Sequence, residues 1–207
     1  MKHLKIIIIL FIVINCTSNK VISKKESIEQ FINNKAIKSE LKSLDLKGVD
    51  YFVYYKFYNY FGLSERDETA NCSSPYSYYI IWEENNSSLI KKITVCGNYQ
   101  PIKLKTNFLN KFYKQNFEKI ISDSVKFYEV GNNQISMDIH TTFKEFLFKK
   151  NGKFYYNEFD HHNIENDSRE ANLNYQYNKN LKIVKLDSLL TNQIQELDSL
   201  KLFKKLN

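Results

Sequence analysis

The alternation of apolar and polar positions divides this chain into one unbroken apolar run, three stretches of helical period and a series of short strand-like segments. The run is Ile6 to Ile14, IIIILFIVI, behind Lys2, His3 and Lys5. Nine helical residues span about 14 Å, well short of the ~30 Å hydrocarbon core of a bilayer. The run therefore reads as the core of an export signal rather than a membrane span. From Ser27 to Leu46, Ile28, Phe31, Ile32, Ile37, Leu41 and Leu44 recur near helical spacing, which predicts one amphipathic helix stopped at Gly48. A second helix is predicted from a Thr106 cap to about Ile121, on Phe108, Leu109, Phe112, Tyr113, Phe117, Ile120 and Ile121. A third is predicted from Asp187 to Lys205, on Leu189, Leu190, Ile194, Leu197, Leu200 and Phe203. That stripe is too wide for a coiled-coil seam, which Gln193 would interrupt, so the helix is expected to dock on its own domain.

The strand signals lie between these helices. Tyr51 to Phe61, YFVYYKFYNYF, has no polar face, so it is a central strand or lines a cleft. Tyr76 to Trp82 and Leu89 to Cys96 form a hairpin. A turn centred on Asn85-Asn86 sets Trp82 against Leu89, Tyr78 against Ile93 and Tyr76 against Val95. Val125–Val130 and Ile135–His140 flank Gly131-Asn132-Asn133; Phe143–Lys149 and Lys153–Phe159 flank Asn151-Gly152. Gly62 to Ser74 reads as a loop, Glu165 to Asn180 as a polar, weakly structured stretch, and Leu181 to Val184 as a last strand. The pattern predicts an α+β fold, a mainly antiparallel sheet of hairpins packed by amphipathic helices. Residues 1–15 are the signal, 16–25 a tether and 26–207 a single domain.

Composition changes little in that reading. Of 207 residues, 43% are hydrophobic, enough for a core, and the net charge is +7. Lys supplies nearly all of the positive charge, since Arg66 and Arg169 are the only arginines. Nucleic-acid sites favour Arg forks, so a nucleic-acid partner is not expected. A Lys-, Asn- and Ile-rich chain fits A/T-rich coding.

The end of the apolar run resembles the signal of bacterial lipoproteins. Val13-Ile14-Asn15-Cys16 stands in the place of the lipobox, with Asn15 where a small residue is usual. The resemblance implies diacylglyceryl transfer to the Cys16 thiol, cleavage before it and a membrane anchor. It covers about a tenth of the chain and implies nothing about the folded domain. Residues after Cys16 carry no acidic run, so the expected location is the cell envelope, facing the periplasm. An ordinary secretory signal with an incidental cysteine is the other reading.

Candidate chemistry is sparse. Cys72 and Cys96 are the thiols remaining beyond Cys16. In an oxidising compartment they are expected to form a disulfide clamping the open end of the first hairpin; two separate buried thiols are the alternative. Asp160-His161-His162, with Glu165 and Asp167, has metal-ligand residue types, but adjacent strand histidines point apart. No metal or other cofactor is expected there. His140 stands alone in a strand. No GxSxG, HExxH, Walker or dinucleotide-binding glycine motif occurs, so no catalytic residue is assigned. Tyr54, Tyr58, Tyr78 and Trp82 can present a stacking platform for a sugar or peptide, or simply pack the sheet against the helices. The expectation is a non-enzymatic envelope lipoprotein, its soluble domain monomeric, that binds or scaffolds an extracytoplasmic ligand or partner. A hydrolase or metal-dependent envelope enzyme is the alternative.

Overall fold

A strand with two apolar faces must be covered on both, and that requirement organises the fold. The computed structural model describes residues 23–58, 65–67, 72–132, 134–138, 141–167 and 169–206. The signal with Cys16, residues 59–61 of the aromatic run and His140 lie outside these. Strand β1 (Tyr51–Tyr58) is the centre of a seven-stranded sheet whose pairings are all antiparallel. On one side it pairs with β4 (Tyr76–Glu84), followed by β5 (Ser87–Thr94) and β6 (Gly97–Asn98); β7 (Ile102–Lys103) also pairs with β5. On the other side it pairs with β10 (Thr142–Lys150), followed by β11 (Lys153–Asp160). The sheet is thus two hairpins flanking one strand, and the fold is α+β.

Both hairpins turn on two residues at positive φ, Asn85 and Asn86 (52° and 58°) and Asn151 and Gly152 (51° and 74°). This matches the right-handed strand twist. The first turn fixes Trp82 opposite Leu89 and Tyr78 opposite Ile93 as expected, but the ladder ends at Ser77–Thr94, one pair before Tyr76 and Val95.

Even-numbered β1 residues Phe52 and Tyr54 face helices α3 (Phe108–Ser122) and α5 (Lys182–Ser199), joined there by Tyr79, Phe146 and Phe148. Odd-numbered Tyr51 and Val53 face α1 (Lys24–Asn33) and α2 (Lys38–Leu46), joined by Ile80, Trp82 and Leu147. The expected single N-terminal helix is two. Phe31 and Ile37 are six residues apart, 120° out of phase on a continuous helix. The break returns both to the core, at 6% and 0% exposure. Asn34 makes the break: its side chain accepts from the Ala36 amide (2.9 Å) and donates to the Tyr78 hydroxyl (2.8 Å). Helix α1 also begins inside the expected tether, at a capping box of Ser23 and Glu26.

Other boundaries differ for identifiable reasons. The predicted loop before Ser74 contains a small ribbon, β2 (Glu65–Asp67) on β3 (Cys72–Ser74). Asn107 rather than Thr106 precedes α3, and its side chain accepts from the Ser88 amide and donates to the Asn86 carbonyl, tying helix to hairpin. The strands expected around Gly131 shrink to β8 (Glu129–Val130) and β9 (Gln134–Ile135). Leu181–Val184 is not a strand. Leu181 precedes α5, where Ile183, Val184 and Leu186 extend the stripe that Leu190, Ile194 and Leu197 bury. The helix docks on its own sheet, and the chain beyond it returns to the β6 edge, where Gln100 donates to the Lys204 carbonyl and Leu206 to that of Asn98. There the Lys205 side chain crosses Gly97 so closely that any Cβ would collide with it.

Cys72 and Cys96 hold their sulfurs at bonding distance, with Cα atoms 5.8 Å apart. They close the open end of the β4–β5 hairpin.

Candidate functional site

Strand β11 ends at Asp160, and the chain then makes a single 3-10 turn, His161–Ile164. The Asp160 carboxylate fixes that turn by accepting from the His162 amide (2.9 Å) and from the Thr141 hydroxyl. Consecutive residues leave a tight turn in divergent directions, so the two imidazoles enter separate recesses.

His161 borders a recess of about 430 Å³ beside α5, lined also by Lys144, Ile164, Val184 and Asp187. At its base the Lys144 ammonium meets the Asp187 carboxylate at 2.6 Å, each side chain 5% exposed. The Tyr54 hydroxyl donates to the other carboxylate oxygen (2.9 Å). Burial draws Lys144 below the ordinary lysine value, with Asp187 acting in the opposite direction. Burial, followed by the positive charge of Lys144, likewise lowers His161. The His161 Nδ1 is buried without a hydrogen-bond partner.

His162 borders a larger, polar recess of about 740 Å³, lined by Tyr128, Ser136, Asp138, Asn166 and Arg169 among others. Tyr128 organises it. Its ring stacks on the His162 imidazole at 4.5 Å and 10°. Its amide donates to Asn163 (2.9 Å), its carbonyl accepts from the Ser136 amide (2.9 Å), and its hydroxyl accepts from the Asp167 amide (3.0 Å). Ser136 consequently sits with Oγ 3.3 Å from His162 Nε2. The Glu165 carboxylate lies between the two histidines, 3.6 Å from His162 Nδ1 and 3.5 Å from His161 Nε2.

The stretch expected to be weakly structured forms the wall of this recess, and asparagines hold it in place. Asn178, on the short helix α4 (Tyr175–Asn180), accepts from the Lys126 amide (2.9 Å) and donates to the Lys126 and Asn163 carbonyls (both 2.8 Å). Asn172 donates to the Asn163 and Glu165 carbonyls (3.0 and 3.1 Å). These side chains supply the partners that buried loop backbone otherwise lacks.

Among the described residues, Tyr54, Tyr78 and Trp82 do not assemble the aromatic platform. Tyr54 is buried under α5, while Tyr78 and Trp82 are buried on the opposite face, at 1%, 4% and 4% exposure; the Tyr58 side chain lies outside the described residues. They pack the sheet because β1 and β4 are covered on both faces. Tyr78 does border a smaller recess of about 380 Å³ with Tyr55, Tyr156, Glu145 and Glu158. There the Tyr156 hydroxyl touches both carboxylates, at 2.8 and 2.6 Å. Burial raises Glu145 above the usual carboxylate range and pushes Tyr55 up to about 12.

Asp160, His161, His162, Glu165 and Asp167 do cluster in space, but no group of three or more His, Cys, Asp or Glu among the described residues is arranged to hold a metal. Asp160 is occupied as a cap, and Asp167 accepts from the Arg169 amide (2.7 Å). Ser136, Tyr128, Lys144 and Asp187 were not singled out by the sequence. Asp187 left one signal, a carboxylate among Ile183, Val184, Leu186 and Leu190 on an apolar helix face. Ser136 left none, because its approach to His162 depends on the fold. Among the described residues no helix is long and apolar enough to cross a membrane. Compared with protein families, curated proteins and solved structures, the chain matches none.

Proposed function

We propose that this chain is an envelope lipoprotein, anchored through Cys16 and facing the periplasm, whose domain engages a small ligand in the recesses around the His161–Ile164 turn. The location is supported by the apolar run ending at Cys16 and by the bonding distance of Cys72 and Cys96, a pair suited to an oxidising compartment. The observation that carries the ligand reading is the divergence of His161 and His162 into adjoining recesses around one carboxylate, Glu165, with the buried Lys144–Asp187 pair behind. Titratable groups shifted by burial and gathered in a recess are where binding sites concentrate.

The His162 recess sets the ligand class. Asp138, Glu165, Asp167 and Glu170 line it with one strong cation, Arg169. That balance suits a polar molecule that is neutral or cationic and disfavours an anion. The domain acts as a monomer, because α5 spends its apolar stripe on its own sheet.

The test is to follow the imidazole signals of His162 by NMR while adding glucosamine, choline and N-acetylglucosamine to the domain. Saturable shifts that vanish in His162→Ala are expected with at least one of them. No shift at His162 with any, in a folded protein, rejects the recess as a ligand site.

A further inference from the structure

We infer that Ser136, His162 and Glu165 form an acyl-transfer triad, and that the recess they share hydrolyses carboxylic esters whose flanking groups are polar and neutral or cationic. This rests on the reading of that recess as the ligand site.

Three residue types must meet in one order for this chemistry: hydroxyl, imidazole, carboxylate. Here Ser136 Oγ is 3.3 Å from Nε2 of His162, and Glu165 is 3.6 Å from Nδ1, the opposite nitrogen. With the proton on Nδ1, facing the carboxylate, the Nε2 lone pair faces the serine. That is the tautomer a general base requires. Such contacts are commonly long in an unliganded site and tighten when substrate excludes water. Glu165 is half-exposed, and its other carboxylate oxygen lies 3.5 Å from His161 Nε2.

The support around the imidazole is more extensive than a chance surface contact provides. The Tyr128 ring stacks flat on it, the Asp160 carboxylate and Thr141 hydroxyl both accept from the His162 amide, and the Ser136 amide is bonded to Tyr128 itself. Nucleophile and base are thus positioned by one residue, Tyr128. The His162 side chain remains 15% exposed, enough to be reached from the recess.

In the first step Ser136 Oγ attacks the ester carbonyl, and its proton passes to His162 Nε2. The tetrahedral oxyanion collapses, the C–O bond to the alcohol breaks, and His162 returns the proton to the departing alkoxide. Water then attacks the seryl ester, giving its proton to His162, and the carboxylic acid leaves as Ser136 recovers its proton. Glu165 stabilises the imidazolium in both steps. Arg169, on the wall of the recess, is paired with Asp167 at 3.5 Å and must leave that carboxylate to reach the oxyanion.

The experiment treats the native folded protein with a fluorophosphonate probe, maps the adduct by mass spectrometry, and measures p-nitrophenyl acetate hydrolysis in parallel. An adduct on Ser136 is expected, absent after heat denaturation. Ser136→Ala and His162→Gln, each with wild-type circular dichroism, should lower kcat/KM by about a hundredfold or more. Glu165→Gln should lower it less, without loss of fold. An adduct elsewhere, or hydrolysis that survives Ser136→Ala, overturns the inference. If the His162 signals respond to a ligand but Ser136 is neither labelled nor needed for hydrolysis, the triad falls and the ligand site stands. If neither occurs, both fall.

Discussion

The Lys144 ammonium and the Asp187 carboxylate meet at 2.6 Å beneath the His161 recess, with the Tyr54 hydroxyl on the second carboxylate oxygen. Lys144 belongs to β10, Asp187 to α5 and Tyr54 to the central strand, so a buried polar cluster joins helix to sheet within an apolar core, while Lys92 of β5 and Asp198 of α5 pair nearer the helix end. Removing one partner leaves an uncompensated charge in a position that is 5% exposed. Lys144→Met should therefore cost about 3–5 kcal/mol. The double variant Lys144→Met, Asp187→Leu should recover most of that loss. Urea unfolding of the two proteins measures the difference. A double variant less stable than the single would show that the pair is not coupled as described.

The Tyr156 hydroxyl has one proton and two carboxylate neighbours, Glu145 and Glu158. Burial raises the Glu145 value above the ordinary 4.5. The folded protein therefore holds a proton on Glu145 at pH values where the unfolded chain has released it. Stability associated with that proton is complete below pH 4.5 and is lost as pH rises through the folded-state value. Glu145→Gln keeps an amide able to bond Tyr156 and cannot ionise. Its Tm should exceed that of wild type at pH 7, and the difference should vanish near pH 4. An equal difference at both pH values would contradict the assignment.

Cys72 and Cys96 are 24 residues apart in sequence. Closing a loop of that length removes unfolded-state entropy worth about 3.5 kcal/mol. Reductant should lower the stability of the wild-type domain by that order and leave a Cys72→Ser, Cys96→Ser variant unaffected. Denaturant titrations with and without reductant measure both. A wild type that is indifferent to reductant would remove the bridge from the account.

Where the apolar pattern is strong, the sequence and the structure agree. The two-apolar-faced segment from Tyr51 is the sheet centre, Asn85-Asn86 is a two-residue turn that pairs Trp82 with Leu89 and Tyr78 with Ile93 as expected, and Asn151-Gly152 turns the other expected hairpin. Local propensity loses where tertiary contacts decide. Asn34 divides a continuous-looking helix because Phe31 and Ile37 must face the same core. Lys182–Val184, part of the segment read as a last strand, is drawn into α5 by the docking stripe. The candidate site was least legible. Asn163, Asn172 and Asn178 read as composition, yet they hold the wall of the recess by bonding backbone across as many as 52 residues of sequence. Nothing local distinguishes such an asparagine from a solvated one. His161 and His162 were visible as a cluster, but Ser136, just beyond β9, and Lys144, on β10, are brought near them only by the fold.

The central claim is that the protein works from a membrane anchor at Cys16. Metabolic labelling of expressing cells with an alkyne fatty acid tests it directly. The account predicts label on wild-type protein in the membrane fraction, a mature chain beginning at acylated Cys16, and no label on Cys16→Ala. Equal labelling of both proteins, or an unacylated chain that retains residues 1–15, would contradict it.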